Sequence, residues 1–209
     1  MFRRLAVIFA VSLFAFGILF TSVLRTASVR YGLRENGGKF INVLGDKQVY
    51  IDYVLPFPGK VLPDSPFWKL KALRDRIWLL LTANESKKVE LNLLFADKRL
   101  GTSMILFKKG KSELAYSTLS KAEKYLDTAS LLEETVRKGG SDTGELNLRL
   151  VNAALKHFEV MEEIISGVPE EAKPGIVVMQ NIPKGVYERA RNALLEQGKT
   201  SPENPFGWR

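Results

Sequence analysis

The chain has 209 residues, with 31 Lys and Arg against 23 Asp and Glu, a formal net charge of +8, and no cysteine. That length allows one ordinary domain with a short appendage, and the lack of cysteine excludes disulfide frameworks, thiolate metal sites and cysteine nucleophiles. The basic excess is concentrated at the start: residues 1–40 carry six Lys/Arg against one Glu, and residues 41–209 carry 25 against 22. A nearly balanced remainder argues against a nucleic-acid surface, and the early cations suit membrane topology or lipid headgroups.

Leu5 to Leu24 is an uncharged apolar run, preceded by Arg3 and Arg4 and closed by Arg25. It has the roughly twenty residues that a helix needs to cross a bilayer's hydrocarbon core. A cleaved secretory signal has a shorter core of about 7–15 residues and a small-residue cleavage site. The expectation is therefore a single-pass transmembrane anchor at residues 1–24, through which the chain meets the membrane. The flanking charges do not fix its direction. Arg3 and Arg4 favour the N-terminus inside, whereas Arg25, Arg30, Arg34 and Lys39 argue the other way.

Residues 25–64 read as a tether. Gly32, Gly37, Gly38 and Gly45 break any long helix. Lys47 to Tyr53 suits one short strand or an extended stretch, and Leu55 to Pro63 is held extended by its prolines. The apolar side chains of this proline-rich lead-in predict that it packs along the domain.

The first helix starts at Ser65-Pro66, a good N-cap followed by a tolerated proline. Phe67, Leu70, Leu73, Ile77 and Leu80 recur at spacings of three and four, which predicts one core-facing row. Thr82-Ala-Asn-Glu85 has capping-box form and opens the second helix. Its row is Val89, Leu93, Ala96, Leu100, Met104 and Phe107, ended by Gly110. The third helix, about Ser112 to Lys138, carries Ala115, Leu119, Ala122, Leu126, Ala129 and Leu132. The fourth, about Gly144 to Ser166, carries Leu146, Leu150, Ala154, Phe158, Met161 and Ile165. These four rows predict an all-α fold, an antiparallel bundle of four to five helices at residues 65–167. Residues 168–209 add a linker to residue 182, a fifth helix over Pro183 to Gln197, and a loosely ordered tail.

The stretch from Tyr53 through Pro56, Pro58-Gly-Lys, Leu62-Pro-Asp and Leu70-Lys-Ala-Leu-Arg74-Asp-Arg76 resembles a bacterial family known as domain of unknown function 5667. So does Lys87-Lys-Val89-Glu-Leu91 followed by Ala96-Asp97-Lys98-Arg99-Leu100. The third helix is also similar, in Lys109-Gly-Lys111-Ser-Glu113-Leu-Ala115 and Lys121-Ala-Glu123-Lys124-Tyr125-Leu126. The resemblance spans about residues 50–165, with Val89 standing where alanine is usual. It implies an exported or membrane-anchored helical protein, hence a domain outside the cytoplasm, and it assigns no activity.

The charged cluster Arg74, Asp75, Arg76 on the first helix and Asp97, Lys98, Arg99 on the second is the most conspicuous polar feature. One reading is a pocket that binds an anion or peptide carboxylate through its arginines. The other is a set of ion pairs that fixes helix register, and edge positions beside an apolar row favour it. His157 is the chain's one histidine. Glu162 and Glu163 lie five and six residues on, which is the wrong spacing for a shared metal. No metal or cofactor is expected, and no glycine-rich phosphate loop or nucleophile elbow is present. His157→Ala is expected to cost less stability than Leu100→Ala. The functional expectation is a membrane-anchored extracytoplasmic scaffold or interaction module with a protein or peptide partner and no catalytic chemistry. The alternatives are a tetratricopeptide-like peptide-binding hairpin and a hydrolase with an unrecognised carboxylate site.

Overall fold

The computed structural model describes residues 41–42, 48–49 and 51–208. The expected anchor, Leu5–Leu24, lies outside them, and no helix among the described residues is long and apolar enough to cross a membrane. Two short strands, β1 (Ile41–Asn42) and β2 (Gln48–Val49), pair antiparallel with Ile41 opposite Val49. Six α-helices follow: α1 (Trp68–Leu81), α2 (Glu85–Lys108), α3 (Ser112–Lys138), α4 (Gly144–Gly167), α5 (Lys173–Met179) and α6 (Asn181–Glu196). A turn of 3-10 helix at Glu170–Ala172 precedes α5. The expected linker at 168–182 is thus mostly helical.

The boundaries have local causes. Asn84, rather than Thr82, caps α2, its Oδ1 accepting from the Lys87 N–H at 2.9 Å. Gly110 (φ 71°) and Gly140 (φ 87°) take the left-handed conformation just past α2 and α3, where a residue with a Cβ is strained. Turns this short send each helix back along its predecessor. At 24 and 27 residues, α2 and α3 form a hairpin longer than the helix pair of a 34-residue repeat unit.

Membership of the core differs from the expectation. The expected rows on α2, α3 and α4 face the core: Val89, Leu100, Ala122, Leu126, Leu150 and Met161 are fully enclosed, and Met104, Phe107, Leu132, Leu146 and Ile165 are half-buried at its margins. The fourth wall is not α1 but α6, which packs against α4 and α3. Val186, Tyr187, Ala190 and Leu194 enter the same cluster as Leu93, Leu126 and Leu150. α5 closes one end with Ile176 and Met179.

α1 instead leans on α2 through Trp78 and Leu79, which pack on Leu91, Leu94 and Phe95. Its predicted core row faces outward, with Phe67, Leu70, Leu73, Ile77 and Leu80 all exposed. Periodicity finds an amphipathic face but not the side of the helix that meets protein. Here a buried acid, Asp75, anchors the opposite face.

The proline-rich lead-in is docked. Ile51 and Leu62 are buried, and Leu55 packs on the Leu100 and Met161 cluster. Pro58 rests over Gly101, and the Lys71 ammonium donates to the Pro58 and Val61 carbonyls. The tail is ordered too, without secondary structure. Phe206 and Trp208 pack on Phe158 at ring-centre distances of 4.7 and 5.2 Å, and the Tyr187 hydroxyl donates to the Pro202 carbonyl.

Candidate functional site

The charged cluster expected on α1 and α2 divides into two sites and a remainder. In the first site, Arg74 grips Asp75 Oδ1 through Nε (3.2 Å) and Nη2 (2.7 Å), and Arg99 lies 3.9 Å from Asp75 Oδ2. Arg99 is sandwiched besides against the rings of Tyr125 and Phe95, 4.3 and 5.5 Å from their centres. Lys71 and Lys98 border the group, so four cations share one buried carboxylate. Burial pushes both ammonium groups down, helped by Arg74 and opposed by Asp75, and Lys71 falls to about 8. Arg76 stands apart, exposed to solvent.

Asp97 belongs to the second site. It turns away from Arg99 into the bundle, where its Oδ2 accepts from the Tyr53 hydroxyl at 2.7 Å and its Oδ1 meets His157 Nε2 at 3.2 Å. The other ring nitrogen, Nδ1, lies 2.8 Å from Glu123 Oε1. The four side chains come from the lead-in, α2, α3 and α4, and Asp97, Glu123 and His157 are completely enclosed. Burial alone pushes the imidazole down, but the two carboxylates outweigh it and raise it to about 9. At neutral pH the ring is therefore a cation held between two acids, with both N–H groups donating. Glu123 Oε2 has no hydrogen-bond partner among the described residues.

This geometry reverses the expectation that His157 matters little. The ring fills a charged site whose partners would be left buried and unpaired without it. Its two nitrogens point to carboxylates on opposite sides of the ring, and no group of His, Asp and Glu among the described residues has the arrangement of a metal site.

The chain gives a signal for this site in retrospect. Asp97 lies four residues after Leu93 and three before Leu100, Glu123 four after Leu119 and three before Leu126, and His157 three after Ala154 and four before Met161. Each occupies a core position of its own helix. A buried polar residue needs a partner, so polar residues at three core positions implicate one another. A second polar corner follows the same logic. Glu133 on α3 accepts from Thr143 Oγ1 (2.5 Å) and Asn147 Nδ2 (2.6 Å), tying α3 to the start of α4.

Surface clefts lie elsewhere, one between α2 and α4 at Met104, Phe107, Glu163 and Val168, and one beside the tail at Tyr187, Arg191 and Pro202. Neither is lined by the charged residues above.

These features define a helical bundle whose core is pinned by a buried imidazolium and whose first helix lies outside it. Residues 60–171, more than half of the chain, match the family described as "Domain of unknown function (DUF5667)", and the chain belongs to that family. No curated protein matches the chain, and no solved structure does. The match ends within the 3-10 turn, so α6, the fourth wall of this core, lies beyond it.

Proposed function

We propose that the chain is a membrane-anchored, extracytoplasmic scaffold or interaction module that performs no chemistry of its own. Leu5–Leu24 holds it in the membrane as a single-pass anchor, and the exposed helix faces meet a protein or peptide partner. The observation that carries this reading is the enclosure of the charged group around His157. His157, Asp97 and Glu123 are 0 % exposed. A general acid or base has to reach the atom it protonates or deprotonates. These groups reach one another instead, and their charge is consumed in joining the lead-in, α2, α3 and α4. The arginines of the α1–α2 group are similarly turned onto Asp75.

The reading is tested by topology. A protease that cannot cross the membrane, added to intact cells, is expected to digest residues 25–209 or shed them as a compact fragment. Protection of that part until the cells are lysed refutes the extracytoplasmic placement.

A further inference from the structure

Among the described residues, α1 carries an apolar face that is exposed. At about 100° per residue, Leu80, Leu73, Ile77, Leu70, Leu81 and Phe67 fall within one arc of about 140° on α1. Their exposures run from 39 % at Ile77 to 79 % at Leu81. Apolar residues scattered singly over a surface need no explanation, but a contiguous row of six does. The row cannot turn inward, because the opposite face of α1 is committed. Trp78 meets Phe95, Asp75 holds Arg74 and Arg99, and Lys71 holds the lead-in.

Charge indicates what covers the row. Lys69 and Arg76 lie beside one edge of the arc, and Arg74 falls just inside its other end, between Leu81 and Phe67. The one acid of the helix, Asp75, is buried and paired. The rim of the row is therefore cationic, which suits an anionic surface and repels a second copy of the same rim. The lead-in, held to α1 through Lys71, also exposes Phe57 (71 %) and Val54 (60 %). About 30 residues separate Leu24 from Val54. The lead-in and α1 are thus the described part of the helical domain nearest the expected anchor along the chain. Interfacial helices have this make-up, a Phe- and Leu-bearing face with long cations at its borders that reach up to phosphates.

We propose that α1 lies on the bilayer as an interfacial helix, with Phe67, Leu70, Leu73, Ile77, Leu80 and Leu81 seated among the headgroups of anionic lipids and Lys69 and Arg76 on their phosphates. The proposal rests on the anchored reading above and adds the surface by which the domain sits on the membrane. The bundle is then held at a fixed tilt, with α3, α4 and α6 left free for other contacts.

The chain's lack of cysteine makes the test direct. Leu70→Cys, Leu80→Cys and, as a control on α3, Leu131→Cys all change exposed residues. Each full-length variant is labelled with an environment-sensitive fluorophore and reconstituted into vesicles of phosphatidylcholine with or without phosphatidylglycerol. With phosphatidylglycerol present, the labels at 70 and 80 are expected to shift to the blue and to become several-fold less accessible to aqueous iodide than the label at 131. Adding Lys69→Glu and Arg76→Glu should restore their accessibility. Labels at 70 and 80 as accessible as the one at 131 overturn the proposal, and so does equal protection without anionic lipid. Protection that rises with protein density, accompanied by energy transfer between chains labelled at position 70, also overturns it in favour of a second copy. Flotation with the vesicles after an alkaline wash reads the anchor separately. Loss of flotation refutes anchoring by Leu5–Leu24, whereas flotation with open labels refutes only the docking of α1.

Discussion

Replacing His157 by Ala removes the cation from a site that holds two carboxylates in the bundle interior. Both Asp97 and Glu123 are 0 % exposed, 3.2 and 2.8 Å from the ring nitrogens. Breaking a buried pair by deleting one partner costs about 3–5 kcal/mol, because the other charge is left without compensation. For a domain of this size that corresponds to a fall in melting temperature of about 10 °C. The same charge gives a pH signature with a definite sign. The His157 pKa is raised from 6.5 to about 9, so its stabilisation is complete below about 6.5 and is lost as pH rises towards 9. The shift is equivalent to at most roughly 3 kcal/mol. Lys71 acts in the opposite sense at higher pH. Its pKa is lowered from 10.5 to about 8, so it favours the folded state increasingly as pH rises through the interval above 8. The histidine dominates between pH 6.5 and 8, because Lys71 keeps most of its charge until the pH nears 8. Thermal unfolding of the full-length chain in detergent, followed by circular dichroism, should show the wild type losing stability across that window. The His157→Ala chain should be less stable throughout and flat across it. A variant that melts with the wild type, or a wild type indifferent to pH between 6.5 and 8, refutes the buried imidazolium.

Three further outcomes are expected from the same unfolding assay. Leu100→Ala and Leu126→Ala, at fully enclosed core positions, should each cost about 2–5 kcal/mol; a loss below about 1 kcal/mol at both would contradict the core assignment. Tyr53→Phe deletes the hydroxyl that donates to Asp97 Oδ2 and should cost about 1–3 kcal/mol, whereas an unchanged melting temperature would contradict a stabilising role for that hydrogen bond. Truncation after Thr200 removes Phe206 and Trp208 from Phe158 and Tyr187. It should lower the melting temperature and increase the binding of a dye that reports exposed apolar surface, and a silent truncation would show that the tail does not belong to the fold.

The amino-acid sequence alone specifies helices α2, α3 and α4, because their apolar rows repeat at helical spacing over about five turns and Gly110 stops α2. It also determined that the lead-in packs, through prolines that hold an apolar segment extended. What it left open was the assignment of faces. The row on α1 has the same spacing as the row on α2, yet one is exposed and the other enclosed. Spacing measures the amphipathicity of a single helix, and burial depends on what lies opposite. The expected charged cluster was resolved in the same way. Asp97 and Arg99 are two residues apart and therefore about 200° apart around α2. One had to face the bundle while the other faced α1, a division that neighbours in sequence do not reveal. His157, Glu123 and Asp97 occupy core positions on three helices, and each helix alone shows only a misplaced polar residue. Their meaning is electrostatic, and it exists only when the fold brings the imidazole to within hydrogen-bonding distance of two acids 34 and 60 residues away. Tertiary structure decided the fourth wall as well. α6 and α1 are both amphipathic, and the bundle closed on the one whose opposite face was not already committed to a buried carboxylate and the proline-rich lead-in.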